Sequence, residues 1–308
     1  MLAAGVQELA AAVETIDLPD PRPLAGDEVL IEVRAAGVAN WDEFVSTGQW
    51  DVGRTPPMAL GVAAAGVIAA VGEAVGKWKE GDEVLTHPLP LRDQGTWAPS
   101  LIAPAALLAR KPDALSWDVA AAFPVPALTA AQVIDEALHI QADDVVLIHG
   151  GGGVTGGVLV SLAAVRGAEV IATASPANHE RLSGLGASHL LDYHDPGWPE
   201  QARALGGTSG VSAAANAAPG GSADAIRTVR DGGRLATITL DPPNEERGIA
   251  ISSVIVRADG STLGAMVELL AAGRMDISLT ATYPLEDAAS ALAQAVGGGG
   301  GGAVALRP

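Results

Sequence analysis

The feature that most constrains this chain is a glycine-rich turn that directly follows a short apolar run. Residues 145–148 read as a buried strand, glycines stand at positions 150, 153 and 156, and an apolar helical stretch covers residues 158–165. Glycines at this spacing let the backbone approach a phosphate group and then pack a helix against a strand. The order strand, turn, helix predicts a parallel sheet that binds a nucleotide at the helix N-terminus.

Further segments that read as strands and helices alternate after this turn. Their predicted positions are 169–175, 189–193, 211–217 and 234–240 for strands, and 130–138, 177–185 and 222–229 for helices. Strands that are almost continuously apolar and alternate with helices are typical of a parallel sheet covered on both faces. The first 120 residues differ, because short strand-like pieces at 28–34, 66–71 and 83–85 are separated by Gly, Pro and Asp.

We therefore expect an α/β protein of two domains. A small β domain covers residues 1–122 and is completed by residues 268–308, where a helix (266–272) and two strands (281–283 and 303–306) are predicted. A Rossmann domain with a doubly wound parallel sheet covers residues 123–267. The six consecutive glycines at 297–302 are predicted to form a flexible surface loop.

Charge and composition exclude several function classes. The chain has 18 Lys and Arg against 36 Asp and Glu, a net charge of −18, so nucleic acid and anionic membrane surfaces are not expected partners. It has no Cys, which excludes disulfides, thiolate nucleophiles, Cys-ligated zinc and iron–sulfur clusters. The longest apolar run, residues 59–72, is too short to span a membrane. We expect a cytoplasmic protein.

The end of the strand after the glycine turn indicates which dinucleotide binds. Sites for NAD place Asp or Glu there to accept hydrogen bonds from the ribose 2′-hydroxyl, whereas this chain has Ser175. A hydroxyl does not repel a 2′-phosphate, so the expected cofactor is NADP(H). The expected cofactor-binding residues of this region are Gly150, Gly153, Val154, Thr155, Gly156, Ser175, Asn178, Arg181 and Tyr193. Arg181 and the neighbouring His179 are equally compatible with a solvated helix face.

Stretches spread over nearly the whole chain resemble one superfamily. They are residues 35–42 (AAGVANWD), 57–67 (PMALGVAAAGV), 81–84 (GDEV), 95–98 (GTWA), 120–124 (AAAFP), 128–130 (LTA), the glycine turn, 172–175 (ATAS), 232–235 (GGRL) and 284–288 (PLEDA). In this order they resemble the medium-chain dehydrogenase/reductase superfamily, in its zinc-free, quinone oxidoreductase-like branch. The resemblance implies that the first domain is GroES-like and that the protein is a homodimer.

The resemblance also implies that no metal is bound. Where zinc-dependent members carry a Cys ligand this chain has Asn40, and where they carry Gly-His-Glu it has residues 61–63 (GVA). Two positions also depart from the zinc-free relatives, which usually have an acidic residue at position 63 and a basic residue where the glycine run stands.

Site residues of the first domain follow from the resemblance. Asn40 and Thr129 would lie beside the nicotinamide as catalytic residues, and Asn40 could also bond the substrate oxygen. Asn216 and Val256 would contact the cofactor. Trp41, Trp50 and Trp97 are candidates for a flat apolar wall of the substrate pocket, or for ordinary core residues. His87 is a candidate proton donor, although a core or surface histidine is the simpler interpretation.

These observations predict an enzyme that transfers a hydride from NADPH, without zinc, to a quinone or an α,β-unsaturated carbonyl. Hydride added to a conjugated acceptor sends charge to a distant oxygen, where a hydrogen bond suffices, whereas a plain ketone needs a Lewis acid or strong proton donor. The alternative is a non-catalytic NADP(H)-binding redox sensor or structural protein, because a fold does not determine function.

Overall fold

The structure, a computed structural model, describes residues 1–298 and 300–308. The chain forms two units: Met1–Leu128, Arg257–Ala271 and Ile277–Pro308 make the first, and Thr129–Val256 with Ala272–Asp276 make the second. The chain therefore passes between the units after Leu128, Val256, Ala271 and Asp276. The sequence predicted two domain boundaries, after residues 122 and 267.

Sixteen strands and nine α-helices are formed by the described chain. The strands are β1 (Leu2–Val6), β2 (Glu14–Asp17), β3 (Glu28–Val38), β4 (Met58–Ala59), β5 (Ala64–Val71), β6 (Glu83–Thr86), β7 (Ser100–Pro104), β8 (Leu108–Arg110), β9 (Val145–His149), β10 (Glu169–Thr173), β11 (His189–Leu191), β12 (Val211–Asn216), β13 (Val229–Thr237), β14 (Ala250–Ser253), β15 (Leu279–Pro284) and β16 (Ala303–Arg307). The helices are α1 (Trp41–Ser46), α2 (Trp117–Ala122), α3 (Pro124–Ala131), α4 (Val154–Val165), α5 (His179–Gly184), α6 (Trp198–Leu205), α7 (Ser222–Thr228), α8 (Gly260–Ala271) and α9 (Ala288–Val296).

The first unit is built on a seven-stranded sheet in the order β15-β16-β3-β5-β6-β8, with β7 pairing to β3. A second sheet has the order β2-β1-β4. The long strand β3 is central because it pairs with β5, β7 and β16. Its residues alternate between buried and more exposed positions over much of its length, so one face packs on the core. The small, mostly β domain predicted from the sequence is confirmed.

An ion pair between a buried carboxylate and a partly exposed arginine fixes the start of β3. The Glu28 side chain is 1% exposed, and its two oxygens each accept a hydrogen bond of 2.8 Å from the Arg22 guanidinium. The Ala25 N–H donates to the same carboxylate at 2.8 Å. These hydrogen bonds, of which Arg22 makes the strongest, outweigh burial and lower the pKa of Glu28 to about 2. The pair anchors the loop before β3 to the strand.

The second unit contains a six-stranded parallel sheet in the order β11-β10-β9-β12-β13-β14. Apolar residues of β9, β10, β12 and β13 pack with Trp198 and Ala202 of α6 and Ala225 of α7 in one buried cluster. Helix α4 packs on β9 and β10. The doubly wound α/β architecture predicted from the sequence is confirmed.

Several element boundaries differ from the sequence-based ones. Helix α4 begins at Val154 rather than at residue 158, because Gly156 and Gly157 are helical in the structure. Helix α6 was not expected, since it is short and starts with Trp198-Pro199, although Pro is compatible with a first helical turn. The helix predicted at 130–138 corresponds to the last two residues of α3 and a π-helical segment that follows it, Gln132–Ala137.

The predicted glycine loop includes position 299, which lies outside the described residues. The last glycine of the run, Gly302, packs against the Ser278 backbone immediately before β16 begins. Among the described residues, no helix combines the length and the apolar character that crossing a membrane requires.

Replacing Glu28 with Gln is expected to destabilise the protein by roughly 2 kcal/mol at neutral pH. The substitution removes the buried negative charge that accepts two hydrogen bonds from Arg22. Because the folded-state pKa is lowered to about 2, the stabilisation is present above the unfolded pKa and is lost as pH falls towards 2. Chemical unfolding at several pH values should show the difference between wild type and variant shrinking below about pH 4.5.

Glu32→Gln is the matched control, because Glu32 lies on the same strand and pairs with Arg34 while both side chains are about half exposed. It should change stability little at any pH. Equal effects of the two substitutions would contradict the role assigned to Glu28.

Candidate functional site: a dinucleotide cradle

The glycine turn joins β9 to α4 at the carboxyl edge of the parallel sheet. Gly150 has φ +85°, and a Cβ there would lie 2.8 Å from the Ala218 backbone nitrogen. A Cβ on Gly156 would lie 2.1 Å from the Gly150 carbonyl oxygen. Both positions therefore require glycine, and the turn packs closely against the start of α4.

The turn presents the start of a twelve-residue helix. Gly153 precedes α4 in an extended conformation, without a side chain to cap the helix. The first N–H groups of an α-helix have no intrahelical partner, and together with the helix dipole they favour an anion. Gly153 is exposed and Val154 and Thr155 are partly exposed, so this end of α4 fits a pyrophosphate group.

Side chains from the end of β10 connect to the glycine turn. Asn178 Nδ2 donates to Ser175 Oγ at 3.1 Å, and Arg181 donates to Asn178 Oδ1 at 3.3 Å and to the Gly152 carbonyl at 2.7 Å. Desolvation lowers the pKa of the Arg181 guanidinium, and Asp276 partly opposes this. Three of the predicted adenosine-side residues are thus brought together beside the turn.

Tyr193 follows β11, the strand that pairs with β10. Because Thr173 of β10 pairs with Leu191 of β11, two residues further on Ser175 and Tyr193 leave neighbouring strands at one level. The Tyr193 side chain is 48% exposed, and its ring centroid lies 4.1 Å from that of His194. His179 instead bonds the backbone five residues earlier, through Nε2 and the Ala174 carbonyl at 3.1 Å.

Asn216 does not have the place expected for a residue that touches cofactor. Its side chain is 0% exposed. Its Nδ2 donates to Ser222 Oγ and Thr239 Oγ1, both at 2.9 Å, and its Oδ1 accepts from the Ala218 N–H at 3.2 Å. The side chain therefore holds the loop after β12 rather than facing a ligand. Val256, three residues after β14, is partly exposed.

In the first unit the three tryptophans have different surroundings. Trp41 begins α1 and is partly exposed, and Trp50 is partly exposed in the loop that follows. Trp97 is 0% exposed and its Nε1 donates to the Gly37 carbonyl at 3.0 Å. Trp97 is thus a core residue, which corrects the expectation that it lines a pocket, because its indole is enclosed and bonded within the unit.

The two catalytic candidates lie on different units. Asn40 is exposed immediately before α1 in the first unit, with its carbonyl bonded to the Glu43 N–H at 3.2 Å. Thr129 lies on α3 in the second unit and is 7% exposed. The Asn40 side chain is therefore open to a ligand, as its proposed role requires.

Three buried polar atoms of the described residues have no hydrogen-bond partner: Asp42 Oδ1, His87 Nε2 and Thr96 Oγ1. Two of these residues contact the segment 61–63, where His87 Nδ1 donates to the Val62 carbonyl at 2.6 Å and the Thr96 N–H donates to the Gly61 carbonyl at 3.0 Å. Asp42 accepts the Ala39 N–H at 2.9 Å, at the end of the strand whose Gly37 N–H donates to the Ala63 carbonyl.

The protonation of Asp42 and His87 follows from this burial. Desolvation raises the pKa of Asp42 to about 7 despite the bond from Ala39. Desolvation lowers the pKa of His87 to about 4, against the opposing effect of Val62. Because a carbonyl only accepts, Nδ1 carries the His87 proton and Nε2 is a free acceptor. A neutral His87 is not the proton donor considered from the sequence.

Among residues 1–298 and 300–308, no group of three or more His, Cys, Asp or Glu side chains is placed to hold a metal ion. A groove of about 520 Å³ lies beside β11 and α6, lined by His189, Leu190, Leu191, Gln201, Ala204 and Leu205. Of the candidate residues described above, Tyr193 is the nearest in sequence, two residues after Leu191.

Two family models match the chain. Residues 25–113 match the alcohol dehydrogenase GroES-like domain, and residues 185–305 match the zinc-binding dehydrogenase domain. The chain belongs to the medium-chain dehydrogenase/reductase superfamily. The second match begins shortly before β11, so it covers the later part of the parallel sheet and the helices and strands that follow it.

The chain is similar to proteins of several kinds. It is 33% identical over 323 residues to erythronolide synthase EryA2 of Saccharopolyspora erythraea, covering 99% of this chain and 9% of that protein. It resembles a solved NAD-dependent alcohol dehydrogenase (28% identity, TM-score 0.90) and mycobacterial Rv1454c complexed with NADPH (26%, TM-score 0.85), each over 100% of both chains. Solved quinone oxidoreductases and an enoyl reductase share the fold at lower identity. The chain spans less than half the length of the curated relatives it matches first.

Replacing the buried Asp42 with Asn should alter the pH dependence of stability. The folded-state pKa of Asp42 is raised, so the protonated carboxyl contributes its full stability below the unfolded pKa of about 3.8. This contribution is lost as pH rises through about 7. The variant cannot ionise and should lack this loss. Melting temperatures measured between about pH 4 and 8 test this, with Asp51→Asn as control, because exposed Asp51 bonds only the Gly53 N–H in its own turn. Parallel pH profiles for wild type and Asp42→Asn would contradict it.

Proposed function

We propose that the protein is an NADPH-dependent oxidoreductase that reduces quinones or α,β-unsaturated carbonyls without zinc. The observation that carries the proposal is the chain of hydrogen bonds Ser175–Asn178–Arg181–Gly152 beside the glycine turn. In support of it, these side chains offer hydroxyl, amide and guanidinium donors and no carboxylate, which suits the adenosine ribose 2′-phosphate of NADPH.

NADPH, when bound, supplies a hydride. The N-terminus of α4 would bind its pyrophosphate through backbone N–H groups, and Ser175, Asn178 and Arg181 would bind the 2′-phosphate. Arg181 is suited to a phosphate because its planar guanidinium offers paired donors. Asn178 and the Gly152 carbonyl already fix its orientation, so little side-chain freedom is lost on binding.

The substrate class follows from what the first unit offers. Asn40 would donate its amide N–H to the substrate oxygen, where negative charge develops during the reaction. One neutral donor is enough for a quinone or conjugated carbonyl, whereas a plain ketone or alcohol needs stronger polarisation. His87 is neutral, so solvent would supply the proton that completes the reduction. Trp41 and Trp50 would provide apolar faces for a planar acceptor.

Turnover assays test the reaction. We expect loss of NADPH absorbance, insensitive to EDTA and faster than loss of NADH, with at least one acceptor from benzoquinone, phenanthrenequinone, an enal and cyclohexenone. The best acceptor distinguishes a quinone reductase from an enone reductase. NADPH binding without turnover of any acceptor would favour the non-catalytic NADP(H)-binding protein instead, and binding of neither cofactor would contradict both.

Ser175→Asp tests the cofactor preference. A carboxylate at this strand end repels a 2′-phosphate and accepts from a 2′-hydroxyl, so the ratio of NADH to NADPH affinity should rise by about tenfold or more. Dissociation constants measured by fluorescence titration give this ratio. Ser183→Asp adds the same charge at an exposed position of α5 and should leave it nearly unchanged. An equal shift in both variants would show that only general charge acts.

A further inference from the structure

A buried row of polar side chains crosses the parallel sheet where its strands end. Thr173, His149, Asn216 and Thr237 are aligned on four neighbouring strands, β10, β9, β12 and β13. Each is at most 7% exposed. Two residues earlier on the same strands, and so on the same face, stand the apolar Ile171, Leu147, Ala214 and Leu235. The row replaces the apolar core at the edge where doubly wound sheets bind ligands.

One end of the row supports the glycine turn. Thr173 Oγ1 accepts the Gly150 N–H at 3.1 Å and is bonded to His149 Nδ1 at 2.7 Å. The His149 ring is stacked on Trp198 with centroids 4.5 Å apart. Backbone at the start of the turn is thereby held by side chains of two strands.

The other end of the row is gathered by Asp241, four residues after β13 ends. Hydroxyl groups of Ser222, Thr237 and Thr239 lie 2.5–3.0 Å from Asp241 Oδ1, and the Ser222 N–H donates to Oδ2 at 3.3 Å. Asn216 Nδ2 bonds the same Ser222 and Thr239 hydroxyls. Although burial alone would raise the pKa of Asp241, the hydrogen bonds from Thr239, Ser222 and Thr237 hold it below its usual value.

Between two members of this cluster stands a strained leucine. Leu240 has φ +59° and its side chain is 63% exposed. The left-handed conformation is unfavourable for a residue with a Cβ and persists only where neighbours fix the backbone. Thr239 and Asp241, on either side, do so. The cluster thus holds a leucine side chain out from the carboxyl edge of the sheet.

The direction in which a dinucleotide would bind indicates which half of it would lie beside this loop. The pyrophosphate site follows β9 and the adenosine residues follow β10, so the remaining half must extend to the opposite side, over β12 and β13. Strand β13 is two positions from β9, about 10 Å. The loop containing Thr239, Leu240 and Asp241 therefore lies on the nicotinamide side.

We propose that Asp241 is a positioning residue for the nicotinamide half of the cofactor, acting through the hydroxyl and amide groups it gathers and through Leu240. The inference rests on the proposed function, because it needs a dinucleotide. It assigns to Asp241 no contact with the reacting atoms. Its effect is to fix the loops after β12 and β13 before the cofactor arrives, so that binding does not have to order them.

Two probes separate the halves of the cofactor: NADPH, and adenosine 2′,5′-bisphosphate, which lacks the nicotinamide side. Asp241→Ala should weaken NADPH binding about tenfold while bisphosphate binding stays within about twofold, both measured by calorimetry. Thr239→Val keeps the side-chain shape and removes one hydroxyl, so it should shift the same ratio in the same direction by a smaller factor. It also serves if Asp241→Ala fails to fold.

Asp144→Ala is the matched control. Asp144 is a buried carboxylate at the opposite edge of the same sheet, bonded to the Gln141 N–H at 2.9 Å and to Arg234 at 2.9 Å. Its loss should lower the melting temperature without changing either dissociation constant.

The outcomes distinguish the two proposals. If wild type binds both probes but Asp241→Ala and Thr239→Val leave NADPH binding unchanged, or weaken both probes equally, the positioning role is wrong and the proposed function stands. If wild type binds neither probe, the proposed function fails and the positioning role fails with it.

Discussion

Parallel pairing of β9 with β10 on one side and β12 on the other is the constraint on which the candidate site depends. It brings three strand ends, and the loops that leave them, to one edge of the sheet. The contact of Gly156 with the Gly150 carbonyl then packs α4 against β9 so closely that no side chain fits between them. The N–H groups at the start of α4 are thereby aimed at the same edge as Ser175 and the loop of Asp241.

The two units differ in whether their enclosed polar side chains are fully hydrogen-bonded. At the strand ends of the second unit, His149, Asn216 and Asp241 are all bonded to neighbouring hydroxyl, amide or backbone groups. In the first unit Asp42 and His87 each keep a buried atom without a partner. An unsatisfied buried group costs about 1–3 kcal/mol, so this part of the first unit is less stable than its packing alone would make it, as is common where a protein binds or reacts.

Local patterns predicted the strands well and the helix boundaries less well. Buried strands β9, β10 and β12 are short apolar runs, and a run of that kind has few alternatives once a parallel sheet is inferred. Helix α4 starts earlier than predicted. The sequence did not indicate this start because Gly156 and Gly157, in the first turns of the helix, have low helix propensity, which the contact of α4 with β9 and β10 overrides. Trp97 was indistinguishable from Trp41 and Trp50 by sequence, since a core and a pocket wall both call for an aromatic ring.

By itself the sequence determined the superfamily frame, the glycine turn and the Ser175 strand end, since each is a residue type at a fixed distance along the chain. Tertiary structure decided that Asn216 is enclosed, that Trp97 lies in the core, and that Thr237, Thr239 and Asp241 gather with Ser222. The spacing of Thr237, Thr239 and Asp241 at every second position was visible in the sequence. Its meaning was not, because contact with Asn216 of β12 and Ser222 of α7 depends on sheet register and helix packing, which no local pattern specifies.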